Sequence, residues 1–267
     1  MKKNLILVIV VVLVIGALGF FLASGKGGSS SDRPTPANQL YQKACELESQ
    51  NEILEAIDIC KNIIADFPNF SDINTVQKKL EDLNLRLILS ATETPKTASY
   101  EVKPGDSLAK ISKEFNVTVD LIKKSNNLTS DTIRIGQKLR IWKGVFSVFV
   151  DKSQNILMLK SDDDVVKVYT VSTGKNNNTP VGTFTIVSKL VNPVWYKSGA
   201  VIPPQSPENA LGSRWMGFDI AGYGIHGTIE PQTLGQQITA GCVRMLNAEV
   251  EELYSLLPNG TKVTVVD

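Results

Sequence analysis

Apolar residues follow different patterns in different stretches of the chain. Residues 5–23, LILVIVVVLVIGALGFFLA, include no charged or strongly polar side chain, and about 20 such residues can cross a bilayer as a helix. Over residues 38–90 apolar positions recur at helical spacing, which predicts three helices with interruptions at 49–51 and 67–69. We expect Ser71 to cap the third helix.

Residues 100–142 show the pattern strand, helix, helix, strand. The turn Pro104-Gly105-Asp106 ends the first strand, and Asp106 or Ser107 can cap the helix that follows. A second helix is predicted at 119–125 and a closing strand at 138–142. The segment is predicted to be a small α/β (βααβ) unit.

Residues 144–267 are predicted to form a mostly β domain. Short β-branched runs at 146–151, 156–160, 165–171, 182–188 and 261–266 predict strands, and residues 248–257 predict one helix. Gly and Pro cluster between them, at 180–182, 192–193, 202–204 and 222–224. Such residues let loops approach a ligand closely, but they do not identify a reaction.

Two polar, Gly-, Ser-, Thr- or Pro-rich stretches separate these segments, at 25–37 and 91–98. The predicted organisation is a multidomain chain: membrane anchor or signal segment 1–24, linker 25–37, helical spacer 38–90, linker 91–98, βααβ module 99–143 and mostly β domain 144–267. Lys2 and Lys3 predict a cytoplasmic N-terminus and an external remainder. The apolar run exceeds the usual core of a cleaved signal peptide, which favours an uncleaved transmembrane anchor, although cleavage near Ala23 stays an alternative.

Charge and composition narrow the possible functions. The chain has 267 residues, 28 Lys and Arg against 27 Asp and Glu, one His and three Cys. Balanced charge argues against nucleic acid as a partner, and one His argues against a His-rich zinc site. Neither a metal nor an organic cofactor is expected. Cys45 and Cys60, on adjacent predicted helices, are either a disulfide or small buried residues.

The candidate chemistry is a Cys–His pair. The single histidine, His226, precedes Cys242 by sixteen residues. A thiol is a poor nucleophile until a base removes its proton, and imidazole is the usual base. The amides of Gly241 and Cys242 could form an oxyanion hole, and Arg244 could bind a carboxylate. Spacing alone leaves open a structural cysteine and a satisfied histidine.

Two resemblances concern the N-terminal half. The helices at 38–68 loosely resemble one tetratricopeptide repeat through Ala44, Ala56 and Pro68. Because a lone repeat cannot bury its own face, we interpret them as a short helical spacer, with a true peptide-binding repeat as the alternative. Residues 100–142 resemble a LysM domain. The matching residues are 102–108 (VKPGDSL), 116–117 (NV), 126–128 (NNL) and 135–139 (IGQKL). LysM domains bind glycans that contain N-acetylglucosamine, and the resemblance implies a groove formed by Gly105, Asp106, Ser107, Leu108, Asn126 and Asn127. A LysM fold that has lost binding is the alternative.

Residues 146–266 resemble the L,D-transpeptidase (YkuD) catalytic domain. The resemblance rests on 171–175 (VSTGK), 179–184 (TPVGTF), 192–193 (NP), 202–204 (IPP), 211–215 (LGSRW), 223–228 (YGIHGT) and 241–245 (GCVRM). It implies that Cys242 attacks the carbonyl of the third residue of a tetrapeptide stem, releases D-alanine and passes the acyl group to a second stem in a 3→3 crosslink. His226 would be the base, its ring held by the Gly227 carbonyl.

The same resemblance assigns the remaining site residues. Arg244 would support the site, and Tyr223, Thr239 and Gly241 would lie at the substrate. The family commonly has Ser-His-Gly-Cys, whereas this chain has Thr239-Ala240-Gly241-Cys242, so Ala240 replaces a second imidazole. This departure puts substrate positioning, acceptor preference and β-lactam reactivity in doubt.

The combined interpretation is a membrane-anchored enzyme of the cell envelope that acts on peptidoglycan, both its stem peptides and its glycan, outside the cytoplasm. Two alternatives remain at this stage. One is an L,D-carboxypeptidase or other hydrolase of the same fold, because water can replace the acceptor amine. The other is a noncatalytic peptidoglycan-binding scaffold.

Overall fold

The computed structural model describes residues 35–197 and 199–267. The predicted membrane segment at 5–23 and most of the linker at 25–37 lie outside these residues. Within the described ranges, no helix is both long and apolar enough to cross a bilayer. The chain forms two compact units, the first ending at Leu83 and the second comprising Asn84–Asp267.

The first unit contains the predicted helices. They are α1 (Pro36–Ser49), α2 (Ile53–Asp66) and α3 (Ile73–Leu89), the last of which continues into the second unit. Fully buried small and branched side chains pack them together, namely Ala44, Ala56, Cys60, Ile63 and Val76. The N-cap prediction for α3 was wrong by one residue: the carbonyl of Asp72, not Ser71, accepts from the amides of Thr75 and Val76. Cys45 and Cys60 are free thiols. The tetratricopeptide assignment stays a prediction.

The βααβ order predicted for residues 100–142 is present. It consists of β1 (Thr97–Glu101), α4 (Leu108–Glu114), α5 (Val119–Ser125) and β2 (Lys138–Trp142), with β1 and β2 antiparallel. Of the two candidate caps, Ser107 caps α4, because its Oγ accepts from the amide of Lys110 at 3.2 Å.

Residues 91–98 are held in place rather than forming a free linker. The guanidinium of Arg140 on β2 donates to the carbonyl of Thr92 at 2.7 Å and to those of Leu87 and Ile88, at the end of α3. Thr97, at the start of β1, accepts from the amide of Thr94 at 3.0 Å. This segment therefore belongs to the packed second unit.

The rest of the second unit is built on an eight-stranded mixed sheet. Its strands are β3 (Phe146–Asp151), β4 (Ile156–Ser161), β5 (Asp164–Thr170), β7 (Gly182–Val191), β10 (Arg214–Phe218), β11 (Gly224–His226), β13 (Val243–Arg244) and β14 (Lys262–Val266). Their order in the sheet is β13-β11-β10-β7-β14-β3-β4-β5. Outside it, β6 (Thr173–Gly174) pairs with β12 (Gln237–Thr239), and β8 (Trp195–Lys197) with β9 (Ala200–Ile202).

The βααβ module packs directly on this sheet domain. Its α5 contacts α6 (Asn247–Leu256), where Thr118 Oγ1 donates to the Ser255 carbonyl and Lys124 Nζ to Ser255 Oγ. The Trp142 indole donates to Ser161 Oγ at 3.2 Å, and its ring stacks on Phe146. One continuous apolar core runs through both parts.

Candidate active site

Two short strands at the β13 edge of the large sheet carry His226 and Arg244, and Cys242 directly precedes the second of them. His226 on β11 is paired with Trp215 on antiparallel β10 and with Arg244 on parallel β13. Directly paired residues present their side chains on one face of a sheet. The His226 ring accordingly stacks on that of Trp215, with centroids 6.1 Å apart.

His226 is buried and uncharged at neutral pH. The residue is only 4% exposed, and Nδ1 lies 2.7 Å from the carbonyl oxygen of Gly227. Because a carbonyl only accepts, Nδ1 holds the proton and Nε2 keeps a lone pair. Burial lowers the pKa of His226 to about 4; the bond to Gly227 opposes this shift and the charge of Arg244 adds to it.

Cys242 lies immediately before β13 and is partly exposed. Its Sγ is 3.4 Å from the carbonyl oxygen of Gly222, which accepts the thiol proton. Burial raises the pKa of Cys242 to about 11, against the opposing effects of the Gly224 amide and the positive charge of Arg244. The resting pair is therefore a neutral thiol and a neutral imidazole, so that nucleophilic attack requires proton transfer to a base.

The turn that holds Cys242 is fixed by its own hydrogen bonds. Thr239 Oγ1 donates to the carbonyl of Cys242 at 2.7 Å and accepts from the amide of Gly241 at 3.2 Å. The Gly241 amide, which we expected in the oxyanion hole, is therefore engaged within the turn. The Thr239 hydroxyl, expected at the substrate, is engaged there as well.

Gly241 is required at its position for steric reasons. Its φ is +145°, and a Cβ on it would lie 2.6 Å from Cε1 of Tyr223. Tyr223 therefore packs on the backbone of the turn beside the thiol.

Asn247, at the start of α6, fixes the segment that follows His226. Its Oδ1 accepts from the amides of Ser213 at 3.1 Å and Thr228 at 3.0 Å, and its Nδ2 donates to the carbonyl of Thr228. A Cβ on Gly227 would meet Asn247 Oδ1 at 2.1 Å, so this contact needs glycine. Sequence reasoning missed Asn247, because nothing in the local sequence distinguishes it from an ordinary polar residue.

Arg244 is anchored on a loop of the same domain. The residue is 9% exposed, and Nη1 donates to Glu230 Oε2 at 3.0 Å and to Thr233 Oγ1 at 2.9 Å. Its Nε is buried without a hydrogen-bond partner within the described part of the chain. Sequence reasoning also missed Glu230 and Thr233, whose spacing to Arg244 has no regular period.

A mostly apolar cavity of about 340 Å³ reaches Cys242. It is lined by Leu190, Pro193, Val194, Trp195, Tyr196, Leu211, Trp215, Gly222 and Cys242. Four of these nine residues lie on β7 (Leu190), β8 (Trp195 and Tyr196) and β10 (Trp215), and the other five lie in connecting segments. Tyr223, which the resemblance places in the site, supports the turn and is not among the lining residues.

The residues predicted to bind glycan have mainly internal contacts. Asp106 accepts from Tyr100 Oη at 2.7 Å, the Lys103 amide at 2.8 Å and Lys110 Nζ at 2.9 Å, and its side chain is only 2% exposed. Asn126 bonds both the amide and the carbonyl of Arg140.

The other four predicted glycan residues differ in exposure. Leu108 is buried, whereas Gly105, Ser107 and Asn127 are exposed. Glycan binding by this group stays a prediction. In the described residues, no cluster of His, Cys, Asp or Glu has the composition of a metal site.

Two family models match the chain. The model described as L,D-transpeptidase catalytic domain covers residues 146–265, and the LysM domain model covers residues 100–142. The "Putative L,D-transpeptidase YqjB" of Bacillus subtilis is 42% identical over 126 residues, which are 45% of this chain and 70% of that protein. The "Putative L,D-transpeptidase YkuD" of Bacillus licheniformis is 32% identical over 175 residues, 62% of this chain and 97% of that protein. This chain belongs to the YkuD family of L,D-transpeptidases.

Among solved structures, an L,D-transpeptidase from Mycobacterium tuberculosis aligns with a TM-score of 0.41 at 18% identity, over 50% of this chain and 63% of that one. That similarity is too low to support an argument about activity. In this L,D-transpeptidase the catalytic domain is preceded by its LysM domain, in the order predicted from the motifs.

Proposed function

We propose that this protein is a peptidoglycan L,D-transpeptidase that forms 3→3 crosslinks by acyl transfer through Cys242. The observation that carries the proposal is the pairing of β11 with β13: it brings a buried imidazole, whose Nδ1 faces the Gly227 carbonyl, and a neutral thiol to the same edge of the sheet, beside an apolar cavity. Family membership supports the same activity.

The first half-reaction is acylation. His226 Nε2 accepts the thiol proton, and Sγ attacks the carbonyl of the third stem residue. The tetrahedral intermediate collapses as the C–N bond breaks, and His226 returns the proton to the leaving D-alanine amine. The low pKa of His226 suits the return of the proton to the leaving amine, because the imidazolium formed in the buried site is a strong acid.

The second half-reaction is transfer to an acceptor. A side-chain amine of a second stem attacks the thioester, His226 takes its proton, and Sγ leaves and is reprotonated. The aromatic and aliphatic lining of the cavity favours a stem over bulk water at this step, because it keeps the thioester in an apolar environment. This lining supports transpeptidation over hydrolysis.

We further propose roles for the other predicted parts. Arg244 stabilises negative charge near the thiol, and the LysM domain holds the glycan strand that bears the stems. Residues 1–24 anchor the enzyme in the membrane, with the catalytic domain outside the cytoplasm at the cell wall. The apolar run and the LysM resemblance support this location.

The test is mass spectrometry of disaccharide-tetrapeptide muropeptides after incubation with the full-length chain, Cys242→Ala and the matched variant Cys45→Ala. We expect crosslinked dimer and free D-alanine with the wild type and Cys45→Ala, and neither product with Cys242→Ala. Tripeptide and D-alanine without dimer would identify a carboxypeptidase. Unchanged muropeptides in all three samples would contradict enzymatic action on this stem and favour a scaffold.

A further inference from the structure

A lysine outside the described site has an unusual environment. Lys152 follows β3, and its side chain is only 2% exposed. A buried ammonium is costly unless it is hydrogen-bonded or paired. Nζ donates to the carbonyl of Thr179 at 2.9 Å and lies 3.6 Å from a carboxylate oxygen of Asp267. The buried charge is thus used to hold the main chain at Thr179.

Thr179 closes a loop of residues 174–179. Its Oγ1 accepts from the amide of Gly174 at 2.7 Å, and a Cβ on Gly174 would lie 2.6 Å from the Thr179 amide nitrogen. On the outer side of the loop, Asn177 Nδ2 donates to the same carboxylate of Asp267 at 3.0 Å. Lys152 therefore holds the loop from its buried side, through the Thr179 carbonyl, and Asp267 holds it from its outer side, through Asn177.

This loop touches the turn that holds the nucleophile at two points. Gly174 pairs with Thr239, whose hydroxyl bonds the carbonyl of Cys242. The carbonyl oxygen of Asn178 lies 3.3 Å from the Cβ position of Gly241. The carbonyl of Lys152 itself accepts from Gln237 Nε2, on β12 just before the turn, at 3.1 Å.

We propose that Lys152 is a positioning residue for Cys242. Its ammonium holds the 174–179 loop and its carbonyl holds β12, so one residue behind the turn fixes both segments that frame the thiol. The effect on turnover rests on the proposed function, whereas the effect on the thiol does not.

The test compares Lys152→Met with Lys167→Met. Methionine keeps the length of the chain but removes the bond to Thr179. The control lysine is also largely buried and bonded, to Glu252 at 2.9 Å, but lies on β5 at the opposite edge of the sheet. Measurements are the melting temperature, site-resolved alkylation of Cys242 by iodoacetamide, and kcat and KM with muropeptides.

In Lys152→Met we expect kcat to fall about tenfold with KM within about twofold, since small misplacements of reacting groups cost rate. Alkylation of Cys242 becomes faster, because a looser turn exposes the thiol and lowers its pKa towards the ordinary value. In Lys167→Met we expect a lower melting temperature but unchanged kcat and an unchanged rate of Cys242 alkylation. An unchanged kcat in folded Lys152→Met, or equal changes in both variants, would overturn the proposal.

Thr179→Val covers the case in which Lys152→Met does not fold. The change is isosteric and removes only the acceptor for the Gly174 amide. We therefore expect kcat to fall about threefold and alkylation of Cys242 to become about threefold faster. No change in kcat or alkylation would count against the loop and therefore against Lys152. If the wild type is alkylated at Cys242 but makes no dimer, the proposed function fails, while the alkylation comparison still decides the role of Lys152.

Discussion

The LysM domain and the transpeptidase domain use their hydrogen-bonded polar side chains differently. In the LysM domain, Asp106 and Asn126 bond the module's own turns and strands. In the transpeptidase domain, Thr239 and Asn247 bond the two segments that carry Cys242 and His226. These polar residues of the first domain therefore maintain its fold, whereas those of the second fix the two segments that carry the predicted catalytic side chains.

The largest expected difference between the two domains concerns two glycines with positive φ, Gly241 in the transpeptidase domain and Gly105 in the LysM domain. Ala at Gly241 would place Cβ 2.6 Å from Tyr223 and displace the turn beside the thiol. We expect Gly241→Ala to lower kcat/KM about 100-fold, the scale of an error of about 1 Å in a reacting group. Steady-state kinetics with muropeptides measure this loss.

Gly105 is the matched position in the LysM domain, with φ +81° and no other atom within 4 Å of a Cβ. Gly105→Ala introduces only backbone strain, and we expect about 1 kcal/mol less unfolding free energy. Activity on soluble muropeptides should match the wild type. Equal kinetic losses in Gly105→Ala and Gly241→Ala would contradict the distinction between the domains.

A second prediction concerns the stability of the transpeptidase domain in acid. The pKa of His226 is about 4 in the folded state against 6.5 ordinarily. As pH falls from about 6.5 to 4, the unfolded chain binds a proton that the folded chain excludes, so stability falls, by about 3 kcal/mol at pH 4.

His226→Gln has no imidazole to titrate and should lose correspondingly less stability over this interval. Urea unfolding of both proteins at pH 7 and pH 4 measures the difference. Parallel losses in wild type and variant would show that His226 is not held neutral by burial.

A third, smaller effect is expected in the LysM domain. Asn126→Ala leaves the amide and carbonyl of Arg140 without these partners, and we expect about 2 kcal/mol less unfolding free energy with unchanged kcat on soluble muropeptides.

The neighbouring Asn127 is exposed, with φ +54°. Glycine adopts that conformation readily, so we expect Asn127→Gly to change the unfolding free energy little. A smaller fraction of this variant co-sedimenting with peptidoglycan would indicate that Asn127 contacts the glycan. If the two variants were equally stable, Asn126 would not have the structural role described above.

The LysM fold was predictable because its signals are local. The helix predicted at 119–125 and the strand at 138–142 match α5 and β2, since caps, turns and apolar spacing act within a few residues. In the transpeptidase domain β3 was predicted with the same bounds, and α6 within one residue. The strands β11 and β13 were not predicted, because three and two residues are too few to show a period.

The candidate site divides in the same way. Cys242, His226, Gly227 and Arg244 could be predicted as candidates because they lie within short motifs. Glu230, Asn247 and Lys152 were not found, because their partners are distant in sequence and their residue types are ordinary at the surface. Only the folded structure shows which group each of these side chains bonds, and that Lys152 is buried.

The sequence by itself determined the order of the LysM and transpeptidase domains and predicted Cys242 and His226 as thiol and base, because these depend on residue type and local spacing. Only the tertiary structure decided that the thiol and imidazole rest uncharged, that the Gly241 amide is engaged within the turn, and that a buried lysine supports the nucleophile. These properties depend on desolvation and on hydrogen bonds between segments far apart in the chain, which only the folded arrangement brings into contact.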